Sequence, residues 1–179
     1  MSGSATGPTA SPGPADAVLP HLNDAGQARM VDVSAKDVTV RTATAAGRVR
    51  LSADCVAALR SGSVPKGDAL AVARIAGIMA AKKTPQLVPL CHPIMISGVD
   101  VLAEVTDDGV ELTATVKTND RTGVEMEALT AVSVAGLAVV DMVKAIDRDA
   151  VITDVRVVAK AGGRRGDYRR AGEPAEAER

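Results

Sequence analysis

Phenylalanine and tryptophan are absent from this 179-residue chain, and its single tyrosine is Tyr168. Proteins that bind single-stranded nucleic acid stack bases on aromatic rings, and that platform is missing. Charge of one sign is missing too. Twenty-one basic residues stand against 22 acidic ones, so no global field attracts nucleic acid. Only two cysteines occur, Cys55 and Cys91, too few for a disulfide framework and suited to a reducing, cytoplasmic setting. The N-terminus lacks a basic region followed by an apolar stretch, so no signal peptide is expected. The longest apolar run, "AVSVAGLAVV" at 131–140, is too short to cross a bilayer, and no membrane partner is expected.

What remains is rich in Val, Ala, Leu, Ile and Met. Hydrophobic residues make up 46% of the chain, enough for a core built without rings. Residues 1–18 are dominated by Ser, Gly, Pro and Ala, which predicts a disordered N-terminal tail. Residues 168–179 are expected to form a mobile C-terminal tail. The domain between them is expected to span 19–167.

"VTVRTATA" and "RVRLS" alternate as strands do, and Ala46-Gly47 between them suggests a tight turn. Ser52 is placed to cap "ADCVAALR", which Gly62 stops. Asp68 is placed to cap "ALAVARIAGIMAAKK", which ends before Pro85. "GVDVLAEV" and "VELTATVKT" form a hairpin pattern around Asp107-Asp108-Gly109. A long helix is expected over about 123–146, followed by the strand "VITDVRVVAK". The order β, α, β, β, α, β predicts an α+β, ferredoxin-like split βαβ sandwich, with helices on one face of an antiparallel sheet.

Several residues could carry chemistry. "LVPLCHP" at 87–93 holds one of two cysteines beside one of two histidines. No second Cys/His pair completes a four-ligand set, so no metal site is expected. Pro89 and Pro93 favour extended chain, in which neighbours point to opposite faces. Cys91 then reads as a small buried group and His92 as a projecting imidazole, or as a cap on a local carbonyl. Lys66 lies just before the Asp68 helix start, where anions are favoured, but no P-loop pattern accompanies it. It reads as an anion contact or as a solvated turn residue. Asp141 sits in "AVVDMVKAI" with Lys144 three residues on, either as a structural ion pair or as a catalytic one. Glu125 and Glu127, beside Arg121, read as ordinary complements to a helix dipole. From Glu127 to Asp141 is fourteen positions, about 20 Å along a straight helix. One small substrate in one chain cannot touch both. Either the ligand is long, the helix breaks, or the site forms between subunits.

Four blocks, "HLNDAGQARMVDVSAK", "KGDALAVARIAGIMAAKKTPQLVPLCHP", "TGVEMEALTAVSVAGLAVVDMVKA" and "DVRVVAKAGG", together resemble the cyclic pyranopterin monophosphate synthase family, the C protein of molybdenum cofactor biosynthesis. The resemblance covers about 21–168. It implies a ferredoxin-like subunit in a homohexamer, a trimer of dimers with active sites at subunit interfaces. It implies a lyase whose small-molecule substrate is (8S)-3′,8-cyclo-7,8-dihydroguanosine 5′-triphosphate, whose products are cyclic pyranopterin monophosphate and pyrophosphate, and which needs no cofactor. By the matching motifs, the resemblance assigns catalysis to Asp141, Lys144 and Lys66. It assigns substrate binding to Leu90, Cys91, His92, Met126 and Glu127, with Arg41 and Lys160 as further basic positions of the pocket. The family commonly has glycine two residues before "TGVEMEALTA"; here that position is Asp120. "SGGKSGD" becomes "AGGRRGD", and a frequent cysteine becomes Val143. A different class of protein remains open: a non-catalytic, oligomeric nucleotide- or phosphate-binding paralogue on the same fold.

Overall fold

The computed structural model describes residues 22–23, 25–164 and 166–173. The expected N-terminal tail and residues 174–179 lie outside the described residues. The chain divides into two units, residues 1–31 and 32–179. In the first, the Asn23 side chain accepts from the amides of Ala25 and Gln27, closing a short turn bridged by Leu22 and Ala28.

The second unit holds strand β1 (Thr39–Arg50), helices α1 (Ala53–Ser61), α2 (Ala69–Ala81) and α3 (Thr84–Leu87), strands β2 (Ile96–Val105) and β3 (Gly109–Asp120), helix α4 (Glu125–Val143), and strands β4 (Val151–Ala161) and β5 (Tyr168–Arg169). The strands form one antiparallel sheet in the order β2-β3-β1-β4-β5. The order of the first four is that of a split βαβ fold, so the α+β ferredoxin-like expectation holds. Strand β5 adds an edge beyond it, past the expected domain boundary at 167.

Period-two alternation decides which side of the sheet is buried. Val110, Leu112, Ala114 and Val116 of β3 pair with Val49, Gly47, Ala45 and Ala43 of β1, and all are buried. Val99, Val101, Ala103 and Val105 of β2 continue the same face. Helix α4 packs across β1, β3 and β4, and α2 lies against both α4 and β2. Ala128, Ala131, Val132, Ala135 and Val139 of α4 reach the sheet. The core is a layer of alanine and valine, with Leu112 its largest fully buried side chain. Small side chains let helix and sheet approach closely. Helix α4 is long and apolar enough to cross a membrane, yet half of its apolar window is spent inside this core.

The caps form as the sequence predicts. Ser52 accepts from the Cys55 amide, Gly62 ends α1 at φ 69°, and Asp68 accepts from the Ala71 amide. Gly109 closes the β2–β3 hairpin where the Val49 carbonyl leaves no room for a Cβ. One expectation fails. Ala46-Gly47 is not a turn: β1 runs straight through it as one twelve-residue strand. The alternation Ala43, Ala45, Gly47, Val49 is unbroken, and a Cβ on Gly47 would lie 2.7 Å from Val132 of α4. The glycine is there for close approach of helix to sheet, not for a reversal. Helix α2 ends before Pro85, as expected. Pro85 itself lies in the first turn of the short α3, where its missing N–H costs nothing.

Candidate active site

Two clusters of charged side chains lie at opposite ends of α4. The first gathers at its C-terminal end. Lys66 Nζ donates to Asp141 Oδ2 and to the Asp141 carbonyl, each at 2.8 Å. Lys144 Nζ lies 2.8 Å from Asp141 Oδ1. Lys66 arrives from the Gly67 turn that precedes the Asp68 cap of α2, and Asp141 and Lys144 from the last turn of α4. The two ammonium groups hold the Asp141 carboxyl at about 2, Lys144 contributing most. The sequence places Asp141 in an apolar stretch, where it would be a buried charge. Instead it is 56% exposed, on the outer stripe with Leu137 and Lys144, while Met142 and Val143 turn inward. Helical periodicity separates these neighbours.

The second cluster surrounds the N-terminal end of α4. Lys160 on β4 pairs with Ala43 on β1, so its side chain shares the helix-covered face with Arg41, two residues before Ala43. Lys160 Nζ lies 2.9 Å from Glu125 Oε1. Arg41 Nε donates to the Asp120 carbonyl at 3.0 Å. Its guanidinium fills the space beside Gly163, whose φ of 82° also favours glycine. Glu127 is almost fully buried, 3% exposed. Burial, helped by the nearby Glu125 charge, pushes its carboxyl up to about 7. Cys91 lies near it: burial and then the Glu127 charge raise the thiol. A thiol so placed is a small apolar group rather than a nucleophile. Leu90, Cys91 and His92 lie on the segment between α3 and β2, the latter two half-buried and Leu90 exposed. His92 lies close enough to Asp32 to contribute, last among the causes, to lowering that carboxyl; hydrogen bonds from Ser34 dominate. Met126, on the first turn of α4, is exposed. Among the described residues, no three His, Cys, Asp or Glu side chains gather to hold a metal ion.

The model of the MoaC family matches residues 30–163, most of the chain. This chain belongs to the MoaC family. A protein of Streptomyces griseus named cyclic pyranopterin monophosphate synthase is 68% identical over 152 residues, which are 85% of this chain and 86% of that protein. One from Nocardioides with the same name is 67% identical over 155 residues, 85% of this chain and 95% of the relative. Cyclic pyranopterin monophosphate synthase 2 of Mycobacterium bovis is 57% identical over 152 residues, 85% and 91% of the two chains.

In this MoaC-family chain, the ten residues singled out from the sequence fall into the two clusters. Lys66, Asp141 and Lys144 meet at one end. Arg41, Lys160, Met126 and Glu127, with the Leu90-Cys91-His92 segment, lie toward the other. Helix α4 is unbroken from Glu125 to Val143, so the clusters stay about 20 Å apart. Sequence reasoning missed the role of Glu125, whose partner lies 35 residues away with no spacing to signal it. It also misread Glu127. That residue is four before Ala131 on the buried stripe, and this periodicity is the signal that distinguishes it from an exposed first-turn acid.

Proposed function

We propose that this chain is a cyclic pyranopterin monophosphate synthase. It converts (8S)-3′,8-cyclo-7,8-dihydroguanosine 5′-triphosphate to cyclic pyranopterin monophosphate and pyrophosphate, an early step of molybdenum cofactor biosynthesis. The observation that carries the reading is identity of 57–68%, over 85% of this chain, to relatives bearing that name. Each proposed site residue is also available at one of two charged clusters.

The reaction needs two kinds of help. An internal hydroxyl attacks the α-phosphorus, the bond to the bridging oxygen of the β-phosphate breaks, and pyrophosphate leaves. That step needs positioning and charge neutralisation. Arg41 and Lys160 suit it. Against the Glu125 carboxylate these two cations leave a net charge of +1, provided Glu127 stays protonated. The raised Glu127 carboxyl keeps it so below about pH 7. The rearrangement of the purine-derived ring needs proton transfer. Lys66 and Lys144 are the proton carriers at the other cluster. A carboxyl near 2 is a weak base, so Asp141 acts by holding both ammonium groups in place. Leu90, Cys91, His92 and Met126 wall the base.

Helix α4 is unbroken, which leaves a long ligand or a site shared between chains. We favour the shared site, with the first cluster of one chain facing the second cluster of its neighbour. Val72, Ile75 and Met79 of α2 and Leu137 of α4 are exposed apolar side chains on the outer helical layer, and they support assembly into a homohexamer. The cytoplasm is the compartment for such an enzyme. The decisive experiment incubates purified protein with the cyclic triphosphate and follows pterin product and pyrophosphate together. Formation of both in equal amounts is expected. Binding without turnover would instead make the chain a nucleotide-binding paralogue.

A further inference from the structure

Met95 is 80% exposed, so its side chain contributes nothing to fixing the segment that carries Cys91 and His92. Its backbone is held on both sides instead. Thr118 Oγ1 donates to the Met95 carbonyl at 2.5 Å, and the Met95 amide donates to Asp120 Oδ2 at 3.3 Å. The β2–β3 ladder is irregular at this point, with a register shift between Ile96 and Gly98. Side chains of β3 therefore replace ladder bonds at the start of β2.

Asp120 makes two further bonds. Its other carboxylate oxygen accepts from the Arg121 amide at 2.7 Å, shaping the turn into α4. Its carbonyl accepts from Arg41 Nε at 3.0 Å. Three segments thus meet on one residue: the loop bearing Cys91 and His92, the turn leading to Glu125 and Glu127, and the guanidinium of Arg41.

We propose that Asp120 is a positioning residue, which fixes the Leu90-Cys91-His92 wall and the Arg41 guanidinium relative to each other through the Met95 amide and its own carbonyl. The inference rests on the reading that Arg41 and this wall hold the substrate. Asp120 itself need not touch substrate. A small displacement of positioning groups is enough to lower catalytic efficiency by an order of magnitude or more.

The test compares wild type, Asp120→Ala, Asp120→Asn, Arg41→Ala and His92→Ala by steady-state kinetics and by amide hydrogen exchange of the folded protein. Asp120→Ala should speed exchange at residues 90–96 and leave the β1–β3 core unchanged. It should raise KM about tenfold with a smaller change in kcat. Asp120→Asn keeps one acceptor oxygen and should fall between. It also carries the comparison if the alanine variant does not fold. Wild-type exchange and KM in both Asp120 variants, with KM raised in Arg41→Ala, would overturn the inference. Unchanged KM in both Arg41→Ala and His92→Ala would overturn the substrate reading, and the inference with it.

Discussion

Glu127 and Asp141 are both carboxylates on α4, and their surroundings push them in opposite directions. For Glu127 the folded state holds its proton more tightly than the unfolded chain does. Between pH 4.5 and about 7 the native protein therefore binds more protons, and stability falls as pH rises through that window. The full penalty, on the order of 3 kcal/mol, is present above it. Glu127→Gln should remove this pH dependence and raise the melting temperature most at pH 8. Thermal melts of the two proteins across pH 5–9 check it, and parallel curves would refute it. The same titration adds negative charge near Glu125, the carboxylate that pairs with Lys160. KM for the triphosphate should then rise above about pH 7 in the wild type and flatten in the Gln variant. Asp141 behaves otherwise. Its folded carboxyl is depressed, so its contribution is present above the ordinary carboxylate range and is lost only as pH falls toward 2. It is also exposed, so a purely structural Asp141-Lys144 pair would be worth little. Asp141→Asn should melt within a few degrees of wild type and yet lose turnover by roughly two orders of magnitude, because Lys66 and Lys144 lose the carboxylate that positions them. A variant that melts far lower while retaining turnover would reverse this assignment.

Among the elements, the local signals read well and the distant ones did not. Ser52, Asp68 and Gly62 announced helix ends because caps act within a few residues. The β2–β3 hairpin was legible from two runs of alternating valine around Asp107-Asp108-Gly109. Gly47 misled, because a glycine in alternating sequence signals either a turn or close approach, and only the position of α4 decides between them. That distinction is testable. Gly47→Val would drive a branched side chain into Val132 and Val155, so it should destabilise the protein by about 1–3 kcal/mol or more. Denaturant unfolding checks this. A true turn glycine would instead show strain without any response to the size of residue 132. Val132→Ala should therefore restore part of the loss in the double variant, and only if the two side chains compete for the same space. Lys160 and Glu125 show the limit from the other side. Their pairing depends on β4 lying beside β1 with α4 across both, which neither residue's neighbours in sequence encode.

At the scale of the whole molecule, the sequence spacing of Glu127 and Asp141 allowed three arrangements, and the unbroken α4 removes the one in which the helix breaks. Lys66 and Asp141 touch within one chain, so they belong to one cluster and cannot complement each other across subunits. A complementation test must take one residue from each end. Lys66→Ala disables the first cluster and Lys160→Ala the second. Each variant alone should be inactive or nearly so. Mixed by unfolding and refolding together, the chains should assemble at random. A site built from the first cluster of one chain and the second cluster of its neighbour then has about a one-in-four chance of drawing both wild-type halves. Activity should return to about a quarter of the wild-type value, while a mixture never co-refolded stays inactive. Native mass spectrometry confirms that the chains have mixed. Mixed assemblies without recovered turnover would mean that each chain uses its own two clusters, and the long-ligand arrangement would stand in place of the shared site.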